Sequence, residues 1–305
     1  MKSRSLWLAV FGGVIAVGLI AAIVTAFVTD DGEPSASTTS TGAASASDTF
    51  DLPLGLESDT FALAQHRGNV LVGLAARSGG PLEVAVVRGD TPLSADAVRV
   101  DVDGHERPTE SCGTGCSRVA AGVLQGRSSR VTVNTGSSSV SFQLPASLPA
   151  SGQSDLDRAR RTMAGLRSYR FTERLTSGGP IVVTRLAVQA PDRLSLRTSG
   201  GYRSVIIGRK RWEYLDGRWQ ETSFPGLSAR EVLMWYDAKN PRVVARLPNG
   251  DVELAAYGLK PVPAWFQLTV QPSGRVTEAE MTAPAHFMLH RYSDFDNVPA
   301  IEPPP

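Results

Sequence analysis

The sequence predicts a mainly β protein with one N-terminal transmembrane helix, a small immunoglobulin-like β-sandwich, and a curled antiparallel half-barrel with one or two helices. Three observations predict it. Residues 6–28 carry no charge, residues 50–146 read as short strands between turns, and a helical period after residue 153 precedes a long series of strands. The 305 residues are enough for two ordinary domains and an anchor. The net charge of +1 gives no global field that would attract nucleic acid.

The uncharged run at residues 6–28 is the predicted membrane anchor. As a helix it would extend about 34 Å, enough to cross a hydrocarbon core of about 30 Å. Lys2 and Arg4 precede the run and acidic residues follow it, so the N-terminus is expected in the cytoplasm and the rest outside. The alternative is a cleaved signal peptide. The run is longer than a usual signal-peptide core, and the small-residue motif at 44–46 lies well beyond it, so a retained, single-pass anchor in the cell membrane is favoured.

Composition divides the chain into four predicted parts. Residues 1–29 are the cytoplasmic stub and transmembrane helix, and 30–49 are a flexible linker rich in Ser, Thr and Ala. Residues 50–148 form the β-sandwich domain and 153–302 the half-barrel domain. Pro145, Pro149 and Gly152 mark the boundary between these two domains.

The predicted sandwich follows from short strands at intervals of about 8–12 residues, a spacing typical of immunoglobulin-like domains. Its two cysteines, Cys112 and Cys116, are the only cysteines of the chain. In an oxidising compartment we expect them to form a disulfide that closes a Gly-rich loop. Metal binding by the pair is the alternative, and a cytoplasmic location would favour it.

The second domain opens with a helix, because Leu156, Ala159, Met163 and Leu166 share one helical face. Ser154 is its predicted N-cap. Strands follow, with a strong hairpin signal where Asp216 precedes a glycine. A capping box at residues 228–231 predicts a short inserted helix that continues to residue 236. A long antiparallel sheet with one or two helices usually curls around them, and its concave face is either packed or holds an apolar ligand.

Residues 153–302 resemble the LolA-like superfamily of lipoprotein carriers and related envelope proteins. The resemblance is carried by the opening helix and the strand after it, a turn at 190–193, an aromatic strand at 207–214 and the ending at 292–303. It implies an antiparallel half-barrel around a cavity that accepts acyl chains in some members, whereas other members are only interaction modules.

A narrower resemblance covers most of the presumed extracytoplasmic part. The stretches at 112–116, 263–266 and 281–288 look like extracytoplasmic regions of actinobacterial copper-resistance membrane proteins of the CopC/CopD type. That resemblance implies copper handling. The chain has neither the multi-span part of those proteins nor the histidine at a mature N-terminus that CopC-type copper sites use.

Bulky apolar side chains concentrate in the second domain, which suits either a packed core or a cavity lined for an apolar ligand. The candidate apolar ligand-binding residues are Trp212, Tyr214, Trp219, Trp235, Trp265 and Phe266.

His286, Met288 and His290 alternate along one predicted strand and would share one face. Imidazole and thioether ligands suit copper, so these residues are the candidate metal site. The alternative is that Met288 packs in the core and the histidines have ordinary structural roles. Phe287 and Leu289 form the more apolar face of the strand, so we expect the histidine row to face away from the main core.

No nucleophile elbow, HExxH motif or P-loop occurs, so the protein is not expected to be an enzyme and no cofactor is expected apart from copper. The leading hypothesis is a membrane-anchored extracytoplasmic protein that binds a lipid or another apolar ligand in its C-terminal domain. The alternatives are a copper-handling envelope protein and an envelope scaffold or regulator that contacts another protein. The expected partners are the membrane, an apolar small molecule and an envelope protein, without nucleic acid.

Overall fold

The structure is a computed structural model that describes residues 57–136, 138–227, 231–259 and 263–305. No helix formed by these residues is long and apolar enough to span a membrane. The predicted anchor at 6–28 and the linker at 30–49 lie outside the described residues.

The first domain consists of two antiparallel sheets that pack face to face. The larger has the order β1-β2-β3-β8-β7 with β4 paired to β3, and the smaller has the order β10-β9-β5-β6. A short 3-10 helix at Ala95–Ala97 precedes β5. The strands are β1 (Thr60–Arg67), β2 (Val70–Arg77), β3 (Leu82–Arg88), β4 (Thr91–Pro92), β5 (Arg99–Val102), β6 (His105–Arg107), β7 (Thr109–Gly113), β8 (Cys116–Val119), β9 (Ser129–Asn134) and β10 (Ser139–Leu144).

Buried apolar side chains from strands of both sheets form one core between them. Val72 and Val84 of the larger sheet belong to the same buried cluster as Val100 and Val133 of the smaller one. A β-sandwich is therefore present, but the expected immunoglobulin topology is not. Here β1, β2 and β3 are neighbours in one sheet, whereas the third immunoglobulin strand lies in the opposite sheet. Strand spacing alone predicted the architecture and could not distinguish these connections.

The predicted disulfide between Cys112 and Cys116 is confirmed. It joins the end of β7 to the start of β8, across the hairpin turn at 114–115.

Removing this bond with Cys112→Ala and Cys116→Ala is expected to lower the free energy of unfolding by about 2 kcal/mol, the loop-closure value for so short a loop. Urea unfolding of the double variant and of the oxidised protein measures the difference. Ser111→Ala, at an exposed neighbouring position, is the control. Equal midpoints for the double variant and the oxidised protein would show that the hairpin is formed without the bond.

The described residues of the second domain form one helix and one antiparallel sheet of eleven strands, in the order β16-β15-β14-β13-β12-β11-β21-β20-β19-β18-β17. Its elements are α1 (Gln153–Gly165), β11 (Ser168–Thr176), β12 (Val182–Gln189), β13 (Arg193–Thr198), β14 (Arg203–Ile207), β15 (Lys210–Leu215), β16 (Arg218–Ser223), β17 (Lys239–Arg246), β18 (Val252–Gly258), β19 (Ala264–Val270), β20 (Val276–Ala283) and β21 (His286–Ser293).

The helix α1 forms on the predicted face, because Leu156, Ala159 and Met163 are all fully buried against the sheet. The predicted N-cap, Ser154, is wrong. The N-cap residue is Gly152, without a side-chain cap, and Ser154 lies inside the helix. Gly152 is placed there by packing, since a Cβ on it would lie 2.5 Å from a methyl group of Leu254.

The large sheet has two faces with different neighbours. Its inner face packs against α1 and forms the larger hydrophobic cluster of the domain, which includes Phe171, Leu186 and Ile206. The first domain lies against the outer face at β18, β19 and β21, where Tyr257, Trp265 and Phe287 form a second cluster with residues of β1, β2 and β3. Both faces of β18–β21 are therefore buried, whereas the described residues place no domain over the outer face of β12–β16.

Trp265 is the centre of the contact between the two domains. It is 5% exposed, and a Cβ on Gly73 of β2 would lie only 2.3 Å from its ring. Beside it, the ring of His66 stacks on that of Phe287 with centroids 3.8 Å apart. Polar contacts add to this packing, because the guanidinium of buried Arg242 donates hydrogen bonds to the main-chain carbonyl of Thr60 in β1 and to that of Pro149 at the domain boundary. The two domains thus share a continuous apolar contact.

Candidate functional site

The candidate site is the inner face of the large sheet together with the segment that covers it. The residues that line this face are apolar and buried. They come from strands on both sides of β11: Phe171, Leu186, Leu194, Leu196, Ile206, Leu254, Phe266, Leu268 and Met288.

Residues 231–238, here called the cover segment, lie over this face between β16 and β17. Leu233, Trp235 and Ala238 belong to the same buried cluster as the sheet, and Trp235 is 0% exposed. The helix predicted through residue 236 is wrong for the described residues, because 231–238 consist of turns and irregular backbone. Its predicted start at 228–230 lies outside the described residues. Leu233 and Trp235 are two positions apart and both buried, which an extended or turning backbone permits and a one-sided helix does not.

A chain of hydrogen bonds links the cover segment to the sheet. The indole Nε1 of Trp235 donates to the Tyr292 hydroxyl at 3.2 Å. That oxygen lies 3.2 Å from Nδ1 of His290, whose Nε2 lies 2.9 Å from a carboxylate oxygen of Glu173. Every group is satisfied when Tyr292 donates to Nδ1 and the histidine proton sits on Nε2, facing the carboxylate.

Burial keeps the tyrosines of this site protonated. Loss of solvation raises the pKa of the Tyr292 hydroxyl far above its ordinary value, and the same cause raises the pKa of Tyr169 well above its own. The Tyr292 hydroxyl therefore keeps the proton that it donates to His290. Glu173 and His290 are almost completely buried, so their hydrogen bond lies inside an otherwise apolar face.

Arg160 of α1 holds the far end of the cover segment. Its Nε donates to the main-chain carbonyl of Tyr236 at 2.7 Å, and its Nη2 donates to the carbonyl of Ala238. The same guanidinium lies 5.9 Å from the centre of the Tyr236 ring. The cover segment is thus attached to the sheet through Trp235 and to the helix through Arg160.

The six residues predicted to line an apolar cavity do not lie together. Trp235 and Phe266 are in the core at the inner face. Trp265 is on the outer face, in the contact with the first domain. The remaining three are half-buried on β15 and β16: Trp212, Tyr214 and Trp219.

Two clefts, of about 440 and 670 Å³, lie in the first domain around β5 and β6, and neither is lined by the large sheet. The sequence left open whether the concave face of the sheet is packed or holds an apolar ligand. In this conformation it is packed, because α1 and the cover segment fill the inner face.

The predicted orientation of the histidine row is wrong. Met288 and His290 face the main core, and Phe287 faces the first domain. Phe287 and Leu289 looked more apolar because the outer face of β21 is also covered, which the sequence of one strand does not reveal. His286 is exposed, with Nδ1 3.0 Å from the carbonyl of Pro284. Both nitrogens of His290 have partners, so these histidines are not brought together as a pair of ligands.

Among the described residues, one group of three His, Cys, Asp or Glu side chains places its ligand atoms within 4.8 Å: Glu83, Cys112 and Cys116. The two sulfur atoms are bonded to each other, and the Glu83 carboxylate accepts hydrogen bonds from Arg118 at 2.8 and 3.1 Å. This group is therefore a disulfide beside an ion pair. Copper binding at His286, Met288 and His290 stays a prediction.

Glu173 was missed by the sequence reasoning, although a signal was present. Tyr169, Phe171 and Leu175 alternate along β11 and are all buried, and the same period puts Glu173 on the apolar face. A carboxylate at an inward position needs a partner. A search for that partner among inward residues of other strands would have pointed to His290.

No family model matches the sequence, and no curated protein matches it. Among solved structures, lipoprotein LppX of Mycobacterium tuberculosis is similar over 49% of this chain and 97% of its own, with 11% identity and a TM-score of 0.39. LprF of Mycobacterium bovis matches over 52% and 99%, with 10% identity and a TM-score of 0.39. A LolA superfamily protein of Nitrosomonas europaea matches over 50% and 96%, with 12% identity and a TM-score of 0.27. Each of these three structures is similar to about half of this chain.

Proposed function

We propose that this protein is a membrane-anchored extracytoplasmic binding protein that takes an apolar ligand, of the acyl-chain class, on the inner face of its large sheet. The ligand occupies the place of the cover segment after that segment moves aside. The N-terminal run at residues 6–28 anchors the protein in the membrane. The observation that carries the proposal is that irregular backbone, rather than a second sheet, covers the apolar inner face.

The cover segment can leave without breaking the sheet. Its described residues contribute no strand, and its attachments include the Trp235 bond to Tyr292, the Arg160 bonds to two carbonyls and apolar packing. Segments with few fixed contacts are the ones that open locally at the lowest free energy. Removal of Leu233 and Trp235 uncovers apolar area that an acyl chain would bury again.

The buried polar groups of the inner face would orient a bound ligand. When Trp235 leaves, the Tyr292 hydroxyl loses one hydrogen-bond donor and can accept a hydrogen bond from the polar end of a ligand. Ligand sites of this kind combine an apolar lining with a few placed polar groups. The remaining chain from Tyr292 through His290 to Glu173 holds that hydroxyl in position.

Trp235→Ala is expected to increase the affinity for a fluorescent fatty acid by about tenfold, equivalent to about 1.4 kcal/mol. The reason is that a ligand which binds only the open form gains as the open fraction rises. Titration of the full-length protein in lipid nanodiscs measures the affinity. Native mass spectrometry of the same protein identifies co-purifying lipid.

Trp219→Ala is the matched control, because it removes the same side chain from the outer face, and its affinity should equal that of the original protein. Unfolding is followed in parallel, since the loss of a buried tryptophan costs stability as well. Absence of co-purifying lipid, together with equal fatty-acid affinity in both variants, would refute the proposal.

A further inference from the structure

The outer face of β12–β16 carries three arginines in one line across adjacent strands. Arg185 is paired in register with Arg197, and Arg197 with Arg203. All three are exposed. They are called the arginine row here. Neighbouring strands lie about 4.7–4.9 Å apart, so three positive charges follow one another at close spacing.

The arginine row lacks the acidic partners that other cations of this face have. Arg170 lies 3.1 Å from Asp294, and Arg291 lies 2.8 Å from Glu278. Lys210 lies 3.0 Å from Glu221. In the part of the chain that the structure describes, no carboxylate lies within ion-pair distance of the arginine row. Like charges directly opposite each other destabilise a sheet, and a bound anion would remove that repulsion.

Aromatic side chains continue the same line toward the edge of the sheet. The row runs from Arg203 to Tyr214 and Trp219, which are paired in register on β15 and β16. The guanidinium of Arg203 lies 4.9 Å from the centre of the Tyr214 ring, and the rings of Tyr214 and Trp219 meet edge to face at 5.3 Å. Trp212 lies beside them on the same face and is half-buried.

We propose that this outer face docks on an anionic phospholipid surface, with the arginine row on the headgroup phosphates and the aromatic rings at the headgroup level. Arginine attracts anionic lipid and pairs with phosphate in fixed geometry. Tryptophan and tyrosine are enriched at the membrane–water interface, because each has an apolar ring and a polar tip.

The shape of the face favours a lipid surface over an acidic protein segment. The charges lie along the outer side of a sheet, which an extended lipid surface can meet, and they do not line either of the two clefts of the first domain. The first domain covers this face at β18, β19 and β21, and in the described part of the chain the arginine row is exposed. The docking is separate from apolar binding at the inner face, since it uses other residues on the opposite side of the sheet.

The test uses the full-length protein in vesicles of phosphatidylcholine and in vesicles that also contain phosphatidylglycerol. A donor dye is placed at Asp216→Cys, at the tip of the β15–β16 hairpin, and acceptor dyes are placed on lipid headgroups. Energy transfer is expected to be severalfold higher with phosphatidylglycerol and to fall as salt is added. Arg185→Glu, Arg197→Glu and Arg203→Glu together should reduce it to the phosphatidylcholine level.

The matched control reverses three exposed arginines elsewhere, Arg99, Arg130 and Arg161, and so has the same net charge; it should keep the full response. The triple glutamine variant of the arginine row tests the same point if the glutamate variant fails to fold. Equal transfer in the two lipid mixtures, or a full response from the variants of the row, overturns the proposal. Binding of polyglutamate by the row without any lipid response would also overturn it and assign the face to an acidic protein. Neither result depends on Trp235.

Discussion

Glu173→Leu is expected to lower the free energy of unfolding by about 1–3 kcal/mol, because it leaves the buried Nε2 N–H of His290 without an acceptor. Both side chains are almost fully buried, at 3% and 2% exposure, so water does not replace the lost partner. The urea dependence of unfolding measures the change, with the slope checked for constancy. The expected loss is a large part of the stability of an ordinary domain.

The double variant Glu173→Leu with His290→Leu should recover most of this loss. Replacement of a whole buried pair by apolar residues is often neutral or stabilising, whereas removal of one partner is not. Glu278→Leu is the control for an exposed pair, since its bond to Arg291 is in solvent and is worth about 1 kcal/mol or less. If Glu173→Leu costs no more than Glu278→Leu, the pair has no special role in the core.

The double variant should recover stability, but it should not recover the firm attachment of the cover segment to the inner face. Without His290, the Tyr292 hydroxyl loses its acceptor and only the bond from Trp235 still orients it. The double variant should therefore be stable while its cover segment is held less firmly. In the fatty-acid titration it should resemble Trp235→Ala more than the original protein.

Elements that depend on local periodicity were predictable. The helix face of Leu156, Ala159 and Met163 follows from spacing alone, and so does the hairpin at Asp216. The disulfide between Cys112 and Cys116 could be predicted from their closeness in the sequence and from the expected oxidising compartment.

The incorrect predictions concern which parts of the chain pack against each face of the large sheet. The cover segment was expected as a helix because a capping box is a local signal, whereas its described residues form turns and irregular backbone that bury Leu233 and Trp235 against the sheet. The orientation of His290 and the position of Trp265 depend on the first domain, which is distant in sequence and covers the outer face. Composition correctly indicated that aromatic residues gather in the second domain. It could not assign them to the inner face, the outer face or the contact between domains.

Trp265→Ala is expected to lower the free energy of unfolding by about 3–5 kcal/mol, because this large buried ring fills the contact between the two domains. Gly73→Ala tests the same contact from the other side. Its new Cβ would lie 2.3 Å from the ring, so overpacking should cost about 1–3 kcal/mol. Thermal and urea unfolding, followed by tryptophan fluorescence and circular dichroism, measure both effects and show whether one transition or two occur.

Combining the two substitutions separates this contact from other causes. In the Trp265→Ala background the ring is absent, so Gly73→Ala should cost almost nothing, and the sum of the single effects should exceed the double. Gly179→Ala is the control, because nothing lies within 4 Å of its added Cβ. Additive costs would mean that Gly73 is constrained by its own strand instead of by Trp265. A non-additive result with a single transition would show that the two domains unfold as one unit, held together by the contact of Trp265 with Gly73 on the outer face of the large sheet.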